Sequence, residues 1–305
     1  MTKHFLTGAE LTTEELAWIL SRAQEFKEQR TRLAASRGAL AAKTVALIFE
    51  HPSTRTRMSS EVAVYELGGH PMVLAGSSTQ LSRGESIKDT ALVASRFVHA
   101  IGIRTARHET VVDLAAHASA PVFNMLTDQH HPLQGLADLL TLRQRFGEVE
   151  GRKLAYVGDG NNVTASLMVL GAMAGVSVAV ATPPGFEPAP EAVALAESVA
   201  TAGGSVELTN DAAEAASEAD AVYTDVWVSM GDEDSAAKKD ALASYQLSSA
   251  LMAHAKPDAI ALHCLPAHVG EEITEEVLYG PQSAIFDQAE NRLHVQKALL
   301  EFIVS

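Results

Sequence analysis

Apolar positions along the chain alternate between two kinds of run. Short β-rich stretches recur at TVALIFE (44–50), PMVLA (71–75), HAIGIR (99–104) and APVFNM (120–125), and helical spacing fills RTRMSSEVAVYELG (55–68), SIKDTALVASRF (86–97) and ETVVDLAAHA (109–118). Strands alternating with helices predict βαβ units and a parallel sheet covered on both faces. PLQGLADLLTLRQRFG (132–147) reads as one helix with Pro132 in its first turn and Gly147 at its end, placed to bridge two domains. A second series then begins with KLAYVGDG (153–160), VSVAVATP (176–183), GSVELTN (204–210), ADAVYTD (219–225) and DAIALHC (258–264), and DQAENRLHVQKALLEFIVS (287–305) closes it as a helix. The predicted fold class is α/β, with two domains, each a parallel sheet flanked by helices, joined by interdomain helices. The stretch SMGDEDSAAKKDALAS (229–244) reads as a loop long and polar enough to be mobile or functional.

A length of 305 residues agrees with two cores at one domain per roughly 150 residues. Lys and Arg number 23 against 38 Asp and Glu, a net charge of −15 that disfavours nonspecific binding to nucleic acid or anionic membrane. Any anionic ligand must therefore be held by a local basic site. The single cysteine, Cys264, fits a reducing compartment, and no signal-like segment or run of about 18 apolar residues is present, so a soluble cytoplasmic protein is expected.

Ser53, Thr54, Arg55, Thr56 and Arg57 follow the first strand at a predicted helix start. Unpaired N–H groups, hydroxyls and guanidinium forks at such a terminus make a phosphate or carboxylate cradle; simple capping would account for one hydroxyl. In HHPLQ, Pro132 at a helix start leaves His131 near the cap and Gln134 one turn on, both able to face the carboxyl end of the sheet. A zinc site at His130 and His131 is weak, because adjacent residues make a poor ligand pair. At the end of a later strand, Cys264 beside His263 and before Leu265 and Pro266 is either a small buried hydrophobe or half of a Cys/His nucleophile pair. GDG with Asn161 and Asn162 lacks the third glycine of a dinucleotide loop, leaving the asparagines as partners for carboxylate or amide. Asp225, in TDVWVSMG, reads as an anchor for an ammonium group or as a solvated loop acid.

In this order, STRTR, HPxQ, GDGNN, DVWVSMG and HCLPAH resemble the aspartate/ornithine carbamoyltransferases over essentially the whole chain. DVWVSMG, HCLP and Gln80 in SSTQLSRGES are similar to the ornithine branch. The resemblance implies a carbamoyl-phosphate domain at 1–131, to which helix 287–305 returns, and an ornithine domain at 132–286 that starts with the linking helix 132–147. It implies that Ser53, Thr54, Arg55, Thr56 and Arg104 hold phosphate, with Arg104, Thr56 and His131 near the carbamoyl oxygen. Gln134 and the backbone at Cys264 and Leu265 would meet the carbamoyl amide, and Arg292 would complete the pocket. Asn162, Asp225, Ser229 and Met230 would bind ornithine under the closing 229–244 loop. It also implies a homotrimer, or a multiple of trimers, in which Gln80 reaches a neighbouring subunit. No metal or organic cofactor is implied, nor a nucleic-acid or membrane partner.

His51 stands where a lysine is common, Met58 and Ser60 where phenylalanines are frequent, Ala165 where a histidine is usual and Val269 where an arginine is usual. Two missing cations bear on affinity more than on reaction type. The expected reaction moves the carbamoyl group of carbamoyl phosphate to the δ-amine of L-ornithine, giving L-citrulline and phosphate. The rival readings are a carbamoyltransferase for putrescine or an N-acylated ornithine, and a noncatalytic anion-binding protein on the same fold.

Overall fold

The computed structural model describes residues 2–30, 38–76, 79–80, 84–228 and 235–304. They form two compact units, one of residues 1–140 with 290–305 and one of residues 141–289.

The first unit holds four parallel strands, β1 (Thr44–Phe49), β2 (His70–Ala75), β3 (Ala100–Arg104) and β4 (Val122–Leu126), in the order β2-β1-β3-β4. Val45, Ala46, Leu47 and Ile48 are all buried, so both faces of the central strand are covered, as a parallel sheet requires. Ala46, Ile48, Ile101, Ile103 and Val122 pack on one face against Ala91, Val111 and Leu114 of helices α3 (Ile87–Ala94) and α4 (His108–His117). The N-terminal helix α1 (Thr13–Glu28) starts at a capping box, Thr12 accepting from Glu15 N while the Glu15 carboxylate accepts from Thr12 N. Helix α2 (Thr54–Glu66) follows β1 and is capped by Ser53. Helix α5 (Pro132–Phe146) follows β4, and the boundary between the units falls within it.

The second unit holds β5 (Lys153–Val157), β6 (Ser177–Ala181), β7 (Ser205–Thr209), β8 (Ala221–Thr224) and β9 (Ile260–His263), all parallel, in the order β7-β6-β5-β8-β9. Alternate residues Ala155, Val157, Ala179, Ala181, Val222 and Ala261 join one core with Ala215, Leu251, Ile273 and Ile285. Helix α6 (Asn162–Met173) is buried from Val163 to Met173. After α7 (Pro190–Val199), α8 (Ala212–Ala216), α9 (Ser235–Leu242), α10 (Ser249–Met252) and α11 (Glu275–Leu278), the chain ends in α12 (Ile285–Val304), most of which belongs to the first unit.

The stretch read as a loop at 229–244 needs a correction. Ser235–Leu242 is helix and Ala243–Tyr245 a turn of 3-10 helix, because AAKKDAL is made of strong helix formers whose polarity conceals the element. Residues 229–234 lie outside the described residues, and with them the expected contacts of Ser229 and Met230. Among the described residues no helix is long and apolar enough to cross a membrane.

Candidate functional site

In each unit the strand order reverses direction once, between β1 and β3 and between β5 and β8. At such a switch point the loops leaving the carboxyl ends of two neighbouring strands diverge and open a crevice where α/β sheets bind ligands. Each of the two motif groups read from the sequence gathers at one of these points.

In the first unit, β1 leads into Ser53 and α2, and β3 ends at Arg104, which is paired in register with Phe49. Ser53 accepts from Thr56 N at 3.4 Å, so its oxygen serves as helix cap. Thr54 and Arg55 stand exposed in the first turn, whereas Thr56 is buried. Arg57 turns away to Glu61, 2.6 Å from Nε to Oε1, so only one of the two arginines of the motif is left toward the cradle. Arg292, from α12, donates through Nη2 to Thr56 Oγ1 at 3.0 Å and through Nη1 to Gln134 Oε1 at 2.9 Å. Thr56, Gln134 and Arg292 are thus one buried, hydrogen-bonded group. His131, at the start of α5, is buried, and its imidazole is held well below its ordinary pKa by burial and then by the positive charges of Arg292 and Arg104. It is therefore neutral at working pH and available as a hydrogen-bond donor rather than a cation. Gln80 stands exposed, its backbone carbonyl accepting from Glu85 N at 3.1 Å, and its side chain does not join the Thr56 group.

In the second unit, β5, β8 and β9 deliver Asn161, Asp225 and Cys264. Asn161 caps α6, its Oδ1 accepting from Val163 N and Thr164 N at 2.9 and 3.2 Å, while its Nδ2 donates to Asp225 Oδ2 at 2.8 Å. Asp225 is buried and also accepts from the Cys264 thiol at 2.7 Å. Cys264 so acts as a donor to a carboxylate. Asn162 is the first residue of the helix and half-buried. Burial and the nearby Asp225 push the Tyr156 hydroxyl far above its ordinary pKa, and it donates to the Asp159 carbonyl at 2.9 Å.

Leu265 sits at φ 58°, a left-handed conformation costly for leucine and kept where the surroundings impose it. Its N–H donates to His263 Nδ1 at 2.8 Å, so the proton of that ring is on Nε2, which donates to Glu272 Oε1 at 3.0 Å. Both side chains are fully buried. The second half of the GDG motif is explained by packing: a Cβ on Gly160 would lie 2.3 Å from Pro188 N and 2.6 Å from the Phe186 carbonyl oxygen. The glycine admits the 186–188 backbone, with no part left for a nucleotide phosphate.

Asp225, His263 and Cys264 offer ligand-type atoms within 4.8 Å of one another, as do His268, Glu271 and Glu272. In the first set those atoms hydrogen bond to each other or to Glu272, as described. The sequence reading missed Glu272, nine residues past His263 with no motif to mark it, and Asp159, whose carboxylate pairs with Lys238 at 2.7 Å in a helix read as loop. Of the two asparagines read as partners for carboxylate or amide, Asn161 is the one whose side chain meets Asp225 and caps the helix.

The carbamoyl-P binding domain of aspartate/ornithine carbamoyltransferases matches residues 3–144, and the Asp/Orn binding domain of the same family matches residues 150–303. An ornithine carbamoyltransferase of Acidothermus cellulolyticus is 54% identical over 100% of this chain and 97% of its own length. One from Thermococcus kodakarensis is 48% identical over 97% of this chain and 94% of its own. Among solved structures, the ornithine carbamoyltransferase from Pyrococcus furiosus superposes with a TM-score of 0.93 at 46% identity, covering 98% of this chain and 96% of that one. The enzyme from Thermus thermophilus gives 0.89 at 42% identity, with both chains covered in full (100%).

Proposed function

The chain belongs to the aspartate/ornithine carbamoyltransferase family, and on that premise we propose that it transfers the carbamoyl group of carbamoyl phosphate to the δ-amine of L-ornithine, giving L-citrulline and phosphate. The observation that carries the reading is the buried group of Thr56, Gln134 and Arg292 beside a neutral His131, all donors or amide partners suited to a carbamoyl head.

The first unit would take carbamoyl phosphate, with Ser53, Thr54, Arg55, Thr56 and Arg104 on the phosphate and Gln134 on the carbamoyl amide. The second would take ornithine, Asp225 receiving the α-ammonium and Asn162 the α-carboxylate, with Ser229 and Met230 completing the amino-acid site. Ornithine's δ-ammonium must first lose a proton, to solvent or to the departing phosphate. The neutral amine then attacks the carbamoyl carbon, and negative charge develops on the carbonyl oxygen. Arg104, Thr56 and the neutral His131 would donate to that oxygen and stabilise the transition state. Collapse breaks the bond from the carbamoyl carbon to the bridging oxygen, the attacking nitrogen gives up its second proton to the departing phosphate, and charge-assisted bonds from Arg55 and the hydroxyls receive that phosphate. Cys264, already donating to Asp225, has an orienting part, and the proposed backbone contacts of Cys264 and Leu265 to the carbamoyl amide use the turn that His263 pins.

The active form is proposed to be a homotrimer or a multiple of trimers in the cytoplasm, Gln80 serving the neighbouring subunit. Supporting it, the edge strand β2 leaves Met72 exposed, and Met58, Tyr65, Val93 and Phe97 on the flanking helices and their ends are exposed as well, unusual for a parallel sheet. Purified protein is expected to release citrulline and phosphate in equal amounts from carbamoyl phosphate and ornithine. Putrescine lacks the carboxylate and N-acetylornithine lacks the ammonium, so each leaves a polar partner unsatisfied at about 1–3 kcal/mol, and ornithine should lead both by at least roughly tenfold in kcat/KM. Equal or better turnover of either would remove ornithine as the substrate; no product from any amine would remove the transferase reading.

A further inference from the structure

Independently of the transferase reading, we propose that His268, Glu271 and Glu272 form a binding site for a divalent cation of the zinc class, outside the residues assigned to either substrate. Their ligand-type atoms lie within 4.8 Å of one another, on the segment that follows the Leu265 turn. Glu272 is fully buried, and its two carboxylate oxygens have different surroundings. Oε1 accepts from His263 Nε2 at 3.0 Å and from the His268 backbone N–H at 2.5 Å. Oε2 is buried and has no hydrogen-bond partner. Ionised, it is an acceptor with no donor; protonated, it is a donor with no acceptor. In either state a buried polar atom goes unpaired, and an ion is one of the few things that can satisfy it.

His268 Nδ1 stands 3.6 Å from Oε2, too far for a hydrogen bond. Two ligand atoms held about 2.1 Å from one tetrahedral ion lie about 3.4 Å apart, close to this gap. Around an octahedral Mg²⁺ they would lie about 3.0 Å apart. An imidazole nitrogen beside two carboxylates also suits zinc better than Mg²⁺ or Ca²⁺, which favour oxygen alone. Main-chain bonds fix the segment in advance: Glu271 N donates to the His268 carbonyl and Gly270 N to the Ile273 carbonyl, each at 2.9 Å. His268 is exposed, so an ion and the water in its fourth position can enter from solvent. The competing cation is Lys239 of α9, which donates to Glu271 Oε1 at 2.7 Å. That pair is open to solvent and therefore weak, and the carboxylate has a second oxygen to offer.

The test is calorimetric titration of ZnCl₂, and separately of MgCl₂, into the tag-free parent protein and into Cys264→Ser, which lacks the thiol of the neighbouring ligand set. Both are expected to bind Zn²⁺, with Mg²⁺ weaker by at least about tenfold. Adding His268→Ala or Glu271→Gln to Cys264→Ser should weaken Zn²⁺ binding at least about tenfold, since even groups behind a metal ligand carry that much. His268→Ala keeps the backbone N–H that holds Glu272, so it removes the ligand and leaves the carboxylate in place. By mass action Zn²⁺ should also raise the unfolding midpoint of Cys264→Ser and leave that of the His268→Ala double variant unmoved.

Absence of Zn²⁺ binding by the parent overturns the proposal, as does its loss in Cys264→Ser alone. Binding that both added substitutions leave unchanged overturns it too, and Mg²⁺ binding as tight as Zn²⁺ binding overturns the assignment to the zinc class. None of these outcomes touches the transferase reading, which citrulline release tests separately.

Discussion

Acid should destabilise this protein well before its carboxylates protonate, because several histidines are buried neutral. His130 lies edge-on to His108 with ring centroids 5.0 Å apart, and burial, then the neighbouring His108, lowers it to about 4. His294, fully buried on α12, is lowered to about 4 by burial, against the opposing pull of Glu290. An unfolded histidine titrates near 6.5, so as pH falls through that value the unfolded chain takes up protons that the folded chain refuses, and stability drops. The loss is absent above about pH 7 and levels off below the folded values near 4. At pH 5.5 it amounts to about 1.4 kcal/mol per histidine, about 3 kcal/mol for the pair, with His4, His108 and His131 shifted in the same direction. Glu66, Glu290 and Asp220, whose pKa values are lowered from ordinary carboxylate values, lose their contribution only below about pH 5, outside this window. Urea unfolding at fixed protein concentration should therefore show a lower midpoint at pH 5.5 than at pH 7.5, and His294→Gln, which keeps a donor for Glu290, should flatten the difference by about 1.4 kcal/mol. Equal midpoints at the two pH values would refute the argument.

Arg55→Ala should leave the fold intact, since the side chain is exposed, yet weaken carbamoyl-phosphate binding about a hundredfold through loss of a bidentate charge-assisted contact; calorimetry showing unchanged affinity would sink that assignment. Gly160→Ala should lower stability by about 1–3 kcal/mol as the 186–188 backbone is forced aside, read as a shift in urea midpoint, and a parent-like midpoint would show that the close approach is soft.

Strands were legible because a parallel strand buried on both faces must be an unbroken apolar run, as β1 and β5 are. What local pattern does not carry is strand order, and with it the two switch points that bring Ser53 to Arg104 and Asn161 to Asp225. Motif residues could be named, but their partners could not: Arg57 turning to Glu61 and Glu272 reaching back to His263 depend on rotamers and on loops that spacing does not determine. The helix at Ser235–Leu242 was hidden for a different reason, since a solvated helix needs little apolar periodicity.

The return of residues 290–304 to the first unit bears on how the protein is made. Synthesis runs from the amino end, so β1 to β4 are complete while Arg292 is still to be added. Until then Thr56 and Gln134 have no guanidinium between them, and the surface later covered by α12 is bare. The first unit is thus the first to begin folding and among the last to finish. A nascent or prematurely terminated chain lacking α12 would carry an intact STRTR motif and still lack the guanidinium that ties Thr56 to Gln134.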